Sequence, residues 1–107
     1  MRILCTGATG FIGSRLVVRL REAGHEVVEM RRYNAGSVPA DTIVYCDVKD
    51  GDLRKALNTA QPELVIHLAA LASNHIANQF PVEAMQTIAV GTARLVEAVP
   101  SLNRGVP

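Results

Sequence analysis

The fold of this chain is decided by one stretch, Thr6-Gly7-Ala8-Thr9-Gly10-Phe11-Ile12-Gly13. Its three glycines recur at every third position, after the apolar run of residues 2–5 and before a segment whose apolar residues recur at helical spacing. In such a motif the first glycine makes a tight turn, the second lets backbone approach a pyrophosphate, and the third lets the helix pack closely on the strand. Unpaired N–H groups at the helix N-terminus then face the anion. The pattern predicts a strand, a phosphate-binding turn and a helix; a plain strand-to-helix turn is the alternative.

Around this stretch, short apolar runs alternate with longer segments of helical period. We predict strands over residues 2–5, 26–30, 42–46 and 64–68, and helices over residues 11–23, 51–59 and from 81 or 82 to 99. The fourth strand is a continuous apolar run of the sort that is buried on both faces of a sheet. Repeated strand and helix units predict the fold class α/β, with a Rossmann-type parallel sheet of order 3-2-1-4.

Composition excludes several classes of protein. The chain has 107 residues, 49% hydrophobic and 20% charged, with a formal net charge of +1, so one domain without a nucleic-acid partner is expected. No segment approaches the roughly 18 apolar residues of a membrane span, and the start is too short for a signal peptide, which predicts a cytoplasmic protein without a membrane partner. Cys5 and Cys46 belong to strands separated by a third, too far apart for a disulfide, so both are predicted to be buried thiols.

The glycine motif resembles the opening of the extended short-chain dehydrogenase/reductases, the NAD-dependent epimerase/dehydratase family that works on nucleotide sugars. Four later segments agree with that family in order and spacing: Gly24-His25-Glu26-Val27-Val28, Cys46-Asp47-Val48, Val65-Ile66-His67-Leu68-Ala69-Ala70 and Gly91-Thr92-Ala93-Arg94-Leu95-Val96-Glu97-Ala98. The resemblance covers the whole chain.

The resemblance implies a dinucleotide site at the carboxyl ends of the strands, which is also where the switch-point rule for strand order 3-2-1-4 places a ligand. It assigns the pyrophosphate to the glycine turn, the adenine to the end of strand 3 and the nicotinamide-side ribose to the end of strand 4. The residues are, in that order, Gly7, Thr9, Gly10, Phe11, Ile12 and Gly13; Asp47 and Val48; Leu68, Ala69 and Ala70. An ordinary turn-capping role is the alternative for Asp47, and a hydrogen-bonded strand-end histidine is favoured over a catalytic one for His67.

The chain departs from the family pattern at two places. Thr87 and Ile88 stand where the family usually has asparagine, which puts that cofactor contact in doubt. Arg31 and Arg32 stand at the end of strand 2, where NAD-using members carry an acidic residue. A guanidinium there favours a 2′-phosphate, so the cofactor is predicted to be NADP in preference to NAD. The alternative is that both arginines are solvated and Glu29 takes the ribose.

No catalytic set and no metal-ligand spacing is found in the sequence. The resemblance implies a serine or threonine after strand 5 and a helical Tyr-x-x-x-Lys pair. The only such spacing, Tyr45 to Lys49, straddles the end of strand 3 and is interpreted as a coincidence.

We therefore interpret residues 1–107 as a truncated NAD(P)-binding half-domain that ends before strand 5 and is not catalytically competent alone. Two alternatives stay open: a non-catalytic dinucleotide-binding or sensing module, and an interaction protein completed by a second chain. An open strand-4 edge would favour self-association or pairing with a C-terminal half.

Overall fold

The computed structural model describes residues 1–32, 43–68 and 78–101. Within these ranges the chain forms β1 (Arg2–Thr6), α1 (Phe11–Glu22), β2 (Glu26–Arg31), β3 (Ile43–Tyr45), α2 (Leu53–Ala60), β4 (Leu64–His67), α3 (Pro81–Met85) and α4 (Gly91–Ala98). A π-helical turn, Gln86–Val90, joins α3 to α4, and a 3₁₀ turn, Val99–Ser101, follows α4.

The four strands form one parallel sheet of order β3-β2-β1-β4, which confirms the predicted fold class and strand order. The first strand therefore lies inside the sheet, where Thr6 is level with Met30 of β2 and with His67 of β4. Because all strands run the same way, the segments that follow them emerge at one edge of the sheet.

Helices cover both faces of the sheet. On one face α1 packs through Val17 and the partly buried Leu20 against Cys5 and Val27. On the other face α2 and α4 share a larger core with the strands, built from Leu4, Val28, Met30, Cys46, Val48, Leu53, Ala56, Leu57, Ala60, Leu95 and Ala98. Cys5 and Cys46 are buried free thiols, as predicted, and they belong to different cores.

Local signals define where α1 and α2 end. After α1 the chain reverses at Gly24, whose φ of +90° is accessible to glycine at little cost. The N-cap of α2 is Asp52, whose carboxylate accepts a hydrogen bond from the Lys55 N–H at 3.1 Å. Its C-cap is Gln61, with φ of +46°, immediately before the buried Pro62. These ends differ from the predicted ones by one or two residues.

One prediction about the second half of the chain, the burial of strand β4, was wrong. The last helix covers the predicted range to within a residue, and its hydrogen bonding changes to the π pattern over residues 86–90. Strand β4 is not buried on both faces: Leu64 is 45% exposed, and residues 65–67 are only partly buried. The physical reason is that, among the described residues, β4 has a neighbouring strand on the β1 side alone.

No helix within the described ranges is both long enough and apolar enough to cross a lipid bilayer.

Candidate functional site

The glycine turn joins β1 to α1 in a tightly closed path. Gly7 has φ of +71°, a backbone conformation that favours glycine, and its carbonyl accepts the Gly10 N–H at 3.1 Å. A Cβ on Gly13 would lie 2.0 Å from that same carbonyl oxygen, so the first turn of α1 packs directly on the turn backbone. Gly7 and Gly13 therefore serve the tight turn and the close helix–strand approach that the glycine spacing predicted.

The N-terminus of α1 is open to a ligand. Gly10 is the N-cap residue, no side chain from the described residues caps the helix, and the first turn contains no acidic residue. Phe11 and Ile12 are 76% and 67% exposed, while Arg15 donates to the Phe11 carbonyl at 2.8 Å and stacks over its ring. A helix end of this kind presents N–H groups and a positive dipole end to an anion. Thr9 is also exposed at the turn.

The end of β2 carries a cluster of charged side chains. Glu29 is buried, with 6% exposure, and accepts hydrogen bonds from Arg31 at 2.9 and 3.3 Å and from Arg21 of α1 at 3.2 Å. Both carboxylate oxygens of Glu29 are thus engaged by arginines. Arg31 ends the strand with its side chain mostly buried, and Arg32 beside it is exposed.

The end of β3 leads into a compact turn over residues 47–51. The Asp47 carboxylate accepts the Lys49 N–H at 2.9 Å, and its carbonyl accepts the N–H groups of Asp50 and Gly51 at 3.3 and 2.7 Å. Asp47 is partly buried, and Val48 lies in the core with 3% exposure. The turn-capping role of Asp47 is therefore present, and its second carboxylate oxygen accepts no bond from this turn.

The end of β4 is held by a directed chain of hydrogen bonds. The Thr92 hydroxyl donates to the Ile88 carbonyl at 2.5 Å, so it accepts from His67 Nε2 at 3.0 Å. That leaves Nδ1 of neutral His67 as the acceptor for the Thr6 hydroxyl at 2.6 Å, and Thr6 Oγ1 accepts the Leu68 N–H at 3.0 Å. Burial lowers the pKa of His67, in keeping with a neutral ring.

This chain of bonds gives His67 a positioning role between β1, β4 and the last helix, as expected of a hydrogen-bonded strand-end histidine. The hydrogen bonds of Thr6 and Thr92 to His67 were not predicted from the sequence, because these contacts depend on strand order. Leu68 follows directly at the strand end, whereas Ala69 and Ala70 lie outside the described residues.

The described residues predicted to bind the cofactor lie at or just after the carboxyl ends of parallel strands. The glycine turn and the ends of β2, β3 and β4 therefore meet at one edge of the sheet, with β1 and β4 adjacent at the centre. A dinucleotide fits these residues: the glycine turn leaves no room for a side chain at Gly13, and the uncapped helix end suits a diphosphate. Fold and site together define a Rossmann-type dinucleotide-binding unit.

The comparison with known families identifies the class more narrowly. Residues 3–106 match the model of the NAD-dependent epimerase/dehydratase family. The chain belongs to this family, which confirms the resemblance in its sequence.

Relatives and solved structures agree with this assignment. The chain is 40% identical over 108 residues to UDP-glucose 4-epimerase of Mycolicibacterium smegmatis, covering 92% of this chain and 34% of that protein. It is 39% identical over 103 residues to 3-diazoavenalumate denitrifying reductase of a Streptomyces species, covering 92% and 33%. The structure of Thermus thermophilus UDP-glucose 4-epimerase in complex with NAD matches with a TM-score of 0.79 and 34% identity, over 92% of this chain and 33% of that chain.

The chain spans about a third of the length of the curated relatives it matches. Relatives of nearly equal similarity are an epimerase and a reductase, so the shared portion is common to proteins with different activities.

Proposed function

We propose that the chain binds a nicotinamide dinucleotide and forms, over residues 1–107, the cofactor-binding part of an epimerase/dehydratase-type enzyme for nucleotide sugars. The observation that carries this proposal is the glycine turn, in which Gly7 adopts positive φ and Gly13 has no space for a Cβ. The NAD complex of the Thermus thermophilus relative supports it.

In this proposal the backbone of Gly7, Gly10, Phe11 and Ile12 holds the diphosphate at the uncapped N-terminus of α1, with Thr9 and Gly13 completing the turn. Asp47 and Val48 receive the adenine, while Leu68, Ala69 and Ala70 line the nicotinamide-side ribose. When bound, the nicotinamide ring accepts or donates a hydride.

Calorimetric titration of the 107-residue chain with NAD⁺ and NADP⁺ tests this proposal. We expect saturable binding with one site per chain, and competition by ADP-ribose, which carries the same adenosine and diphosphate. Absence of binding by a folded chain to either cofactor would refute the proposal.

We further propose that NADP(H) binds more tightly than NAD(H), because the end of β2 is cationic. Glu29 carries one negative charge, whereas Arg21 and Arg31, which both pair with it, carry two positive charges, so this group has a net positive charge. Glu29 itself is unsuited to hold ribose hydroxyls because both of its oxygens are bonded to arginines in the sheet interior. Arg31 keeps a guanidinium in the position where an acidic residue would repel a 2′-phosphate.

Parallel titrations with NADPH and NADH measure this preference. Charge-assisted hydrogen bonds contribute about 1.5–3 kcal/mol, so a preference of roughly ten- to a hundredfold for NADPH is expected. Arg31→Ser removes the guanidinium without adding a charge next to Glu29, and it should reduce the preference. Arg19→Ser, at an exposed position of α1, is the matched control. Equal affinities in the parent chain, or an unchanged preference in Arg31→Ser, would contradict the proposal.

We also propose that these residues do not complete a catalytic site. Tyr45 ends β3 and Lys49 lies in the following turn, where its ammonium group is 3.7 Å from the Glu83 carboxylate. The two side chains are thus not placed on one helix in the way that a Tyr-x-x-x-Lys pair requires. We expect no turnover of UDP-glucose by the chain alone; turnover that disappears in Tyr45→Phe would show that Tyr45 acts in catalysis.

The edge of β4 favours one interaction in addition to the cofactor. In the described part of the chain this strand pairs only with β1, and Leu64 is 45% exposed. We propose that β4 adds a strand from a second copy or from a separate C-terminal half, since unpaired strand edges recruit partners. Sedimentation of the parent chain should show association that weakens in Leu64→Lys; a concentration-independent monomer would contradict this idea.

A further inference from the structure

The turn over residues 47–51 is attached to the last helix by a side chain that no sequence motif singled out. Arg94 of α4 donates from one terminal nitrogen to the Val48 carbonyl at 2.7 Å and from the other to the Gly51 carbonyl at 2.5 Å. A guanidinium has its donors in a rigid planar fork, so it fixes the separation and direction of both carbonyls. Arg94 thus bridges the beginning and the end of the turn.

Packing leaves this turn little freedom of its own. Val48 lies against α4 so closely that a Cβ on Gly91 would be 2.9 Å from the Val48 Cγ2 atom. At the other end of the turn, a Cβ on Gly51 would be 2.6 Å from the Cys46 sulfur and 2.8 Å from the Asp47 carbonyl oxygen. A displacement of α4 would therefore be transmitted to the turn backbone.

The contacts of Arg94 are with main-chain carbonyls. Among the described residues its guanidinium forms no salt bridge. The Asp47 carboxylate accepts one N–H from its own turn. Arg94 consequently orients the turn and leaves the carboxylate of Asp47 able to accept a further hydrogen bond.

The N–H groups of Lys49, Asp50 and Gly51 are used inside the turn. One oxygen of the Asp47 carboxylate accepts the Lys49 N–H, so the turn leaves the other oxygen as an acceptor for a ligand. The N6 amino group of adenine is a hydrogen-bond donor and is complementary to this acceptor.

We propose that Arg94 is a positioning residue for recognition of the adenine, acting from α4 through the carbonyls of Val48 and Gly51. This inference rests on the proposed binding of a dinucleotide. It adds a specificity determinant that lies on the helix after β4 and does not touch the cofactor.

The experiment compares NAD⁺ with its hypoxanthine analogue, nicotinamide hypoxanthine dinucleotide. Hypoxanthine has a carbonyl oxygen in place of the amino group, so the donor that would pair with the Asp47 carboxylate is replaced by an acceptor. The parent chain should bind NAD⁺ about tenfold or more tightly than the analogue. Arg94→Met should weaken NAD⁺ binding and bring the ratio of the two affinities close to one.

Two further variants make the result specific. Arg94→Lys keeps the charge but has a single donor group, so it should retain folding and lose most of the discrimination. Arg54→Met, at an exposed position of α2, is the control and should bind both ligands as the parent does. Thermal unfolding of each variant shows that the binding data refer to folded protein; Arg94→Lys carries the test if Arg94→Met does not fold.

A merely structural role for Arg94 would weaken binding of both ligands by the same factor. An unchanged affinity ratio in Arg94→Lys and Arg94→Met would therefore overturn the inference while leaving the proposed function intact. A folded parent chain that binds neither ligand would overturn the proposed function, and the role of Arg94 with it.

Discussion

Substitution of Gly13 by alanine is expected to destabilise the fold, whereas the same substitution at Gly10 is expected to affect cofactor binding. The added Cβ of Gly13→Ala would lie 2.0 Å from the Gly7 carbonyl oxygen and 2.8 Å from its carbonyl carbon. Ordinary carbon–oxygen contacts are about 3.3 Å or longer, so α1 and the turn must separate by about 1.3 Å. Both clashing partners are backbone atoms, which cannot rotate away.

Overpacking of this kind costs about 1–3 kcal/mol, and a backbone clash belongs at the upper end of that range. For a domain near this size, each kcal/mol lowers the melting temperature by about 4–8 °C, so a decrease on the order of 10–20 °C is expected. The Cβ of Gly10→Ala would lie 3.3 Å from the Gly7 oxygen, at a φ of −75° that alanine adopts freely. Its stability should stay within about 1 kcal/mol of the parent.

Urea unfolding followed by circular dichroism measures the stability of both variants, and titration with NADPH measures binding. Gly10→Ala should fold and bind at least about tenfold more weakly, because its methyl group keeps the diphosphate from the turn backbone. A Gly13→Ala chain within about 0.5 kcal/mol of the parent would refute the packing argument, since surface substitutions commonly fall in that range. Normal binding by Gly10→Ala would refute the assignment of the diphosphate.

Three further outcomes are expected. Glu29→Gln should lower the free energy of unfolding by about 1–3 kcal/mol in urea titrations, because two arginines lose the buried charge that pairs with them; an unchanged value would contradict that role. Burial puts the pKa of His67 below the ordinary 6.5, so the unfolded chain binds the proton more readily than the folded chain. The free energy of unfolding should therefore fall as the pH drops below 6.5, by at most about 1.4 kcal/mol per pH unit. The fall should be smaller in His67→Gln. Burial also raises the pKa of the Cys5 and Cys46 thiols, so both should react slowly with iodoacetamide at about pH 7.5 until the chain is unfolded, and rapid labelling of the native chain would contradict their burial.

The first half of the fold could be predicted because its signals are local. The glycine spacing specifies the turn and the helix after it, and strand boundaries follow from short apolar runs. The π-helical turn at Gln86–Val90 could not be predicted, because residues 86–90 contain neither proline nor glycine and a single wider turn barely changes the apolar period. The exposure of β4 also depends on neighbours in the sheet, which composition does not specify.

The candidate site likewise has one part that could be predicted from the sequence and one part that could not. The candidate binding residues could be placed in the fold from the motif, since Gly7, Asp47 and Leu68 all follow strand ends. The side chains that fix the surroundings of the site could not be predicted. Arg21 bonds to Glu29 from another element, and Arg94 bonds to a turn more than 40 positions away in the chain. Long side chains that bond to main-chain carbonyls leave no spacing pattern in a sequence.

The position of β1 inside the sheet has a consequence for how the protein folds. During synthesis β1 leaves the ribosome before the other three strands, and β2, whose Glu26 meets Arg2 from 24 positions away, can pair with it early. The other edge of β1 can pair only after β4 has been synthesised, since Thr6 and His67 are 61 positions apart. Closing the larger loop costs more chain entropy. We therefore expect the β1, α1 and β2 unit to form first and the docking of β4 to be the slow step, so that the strand carrying the glycine turn acquires its second neighbour last.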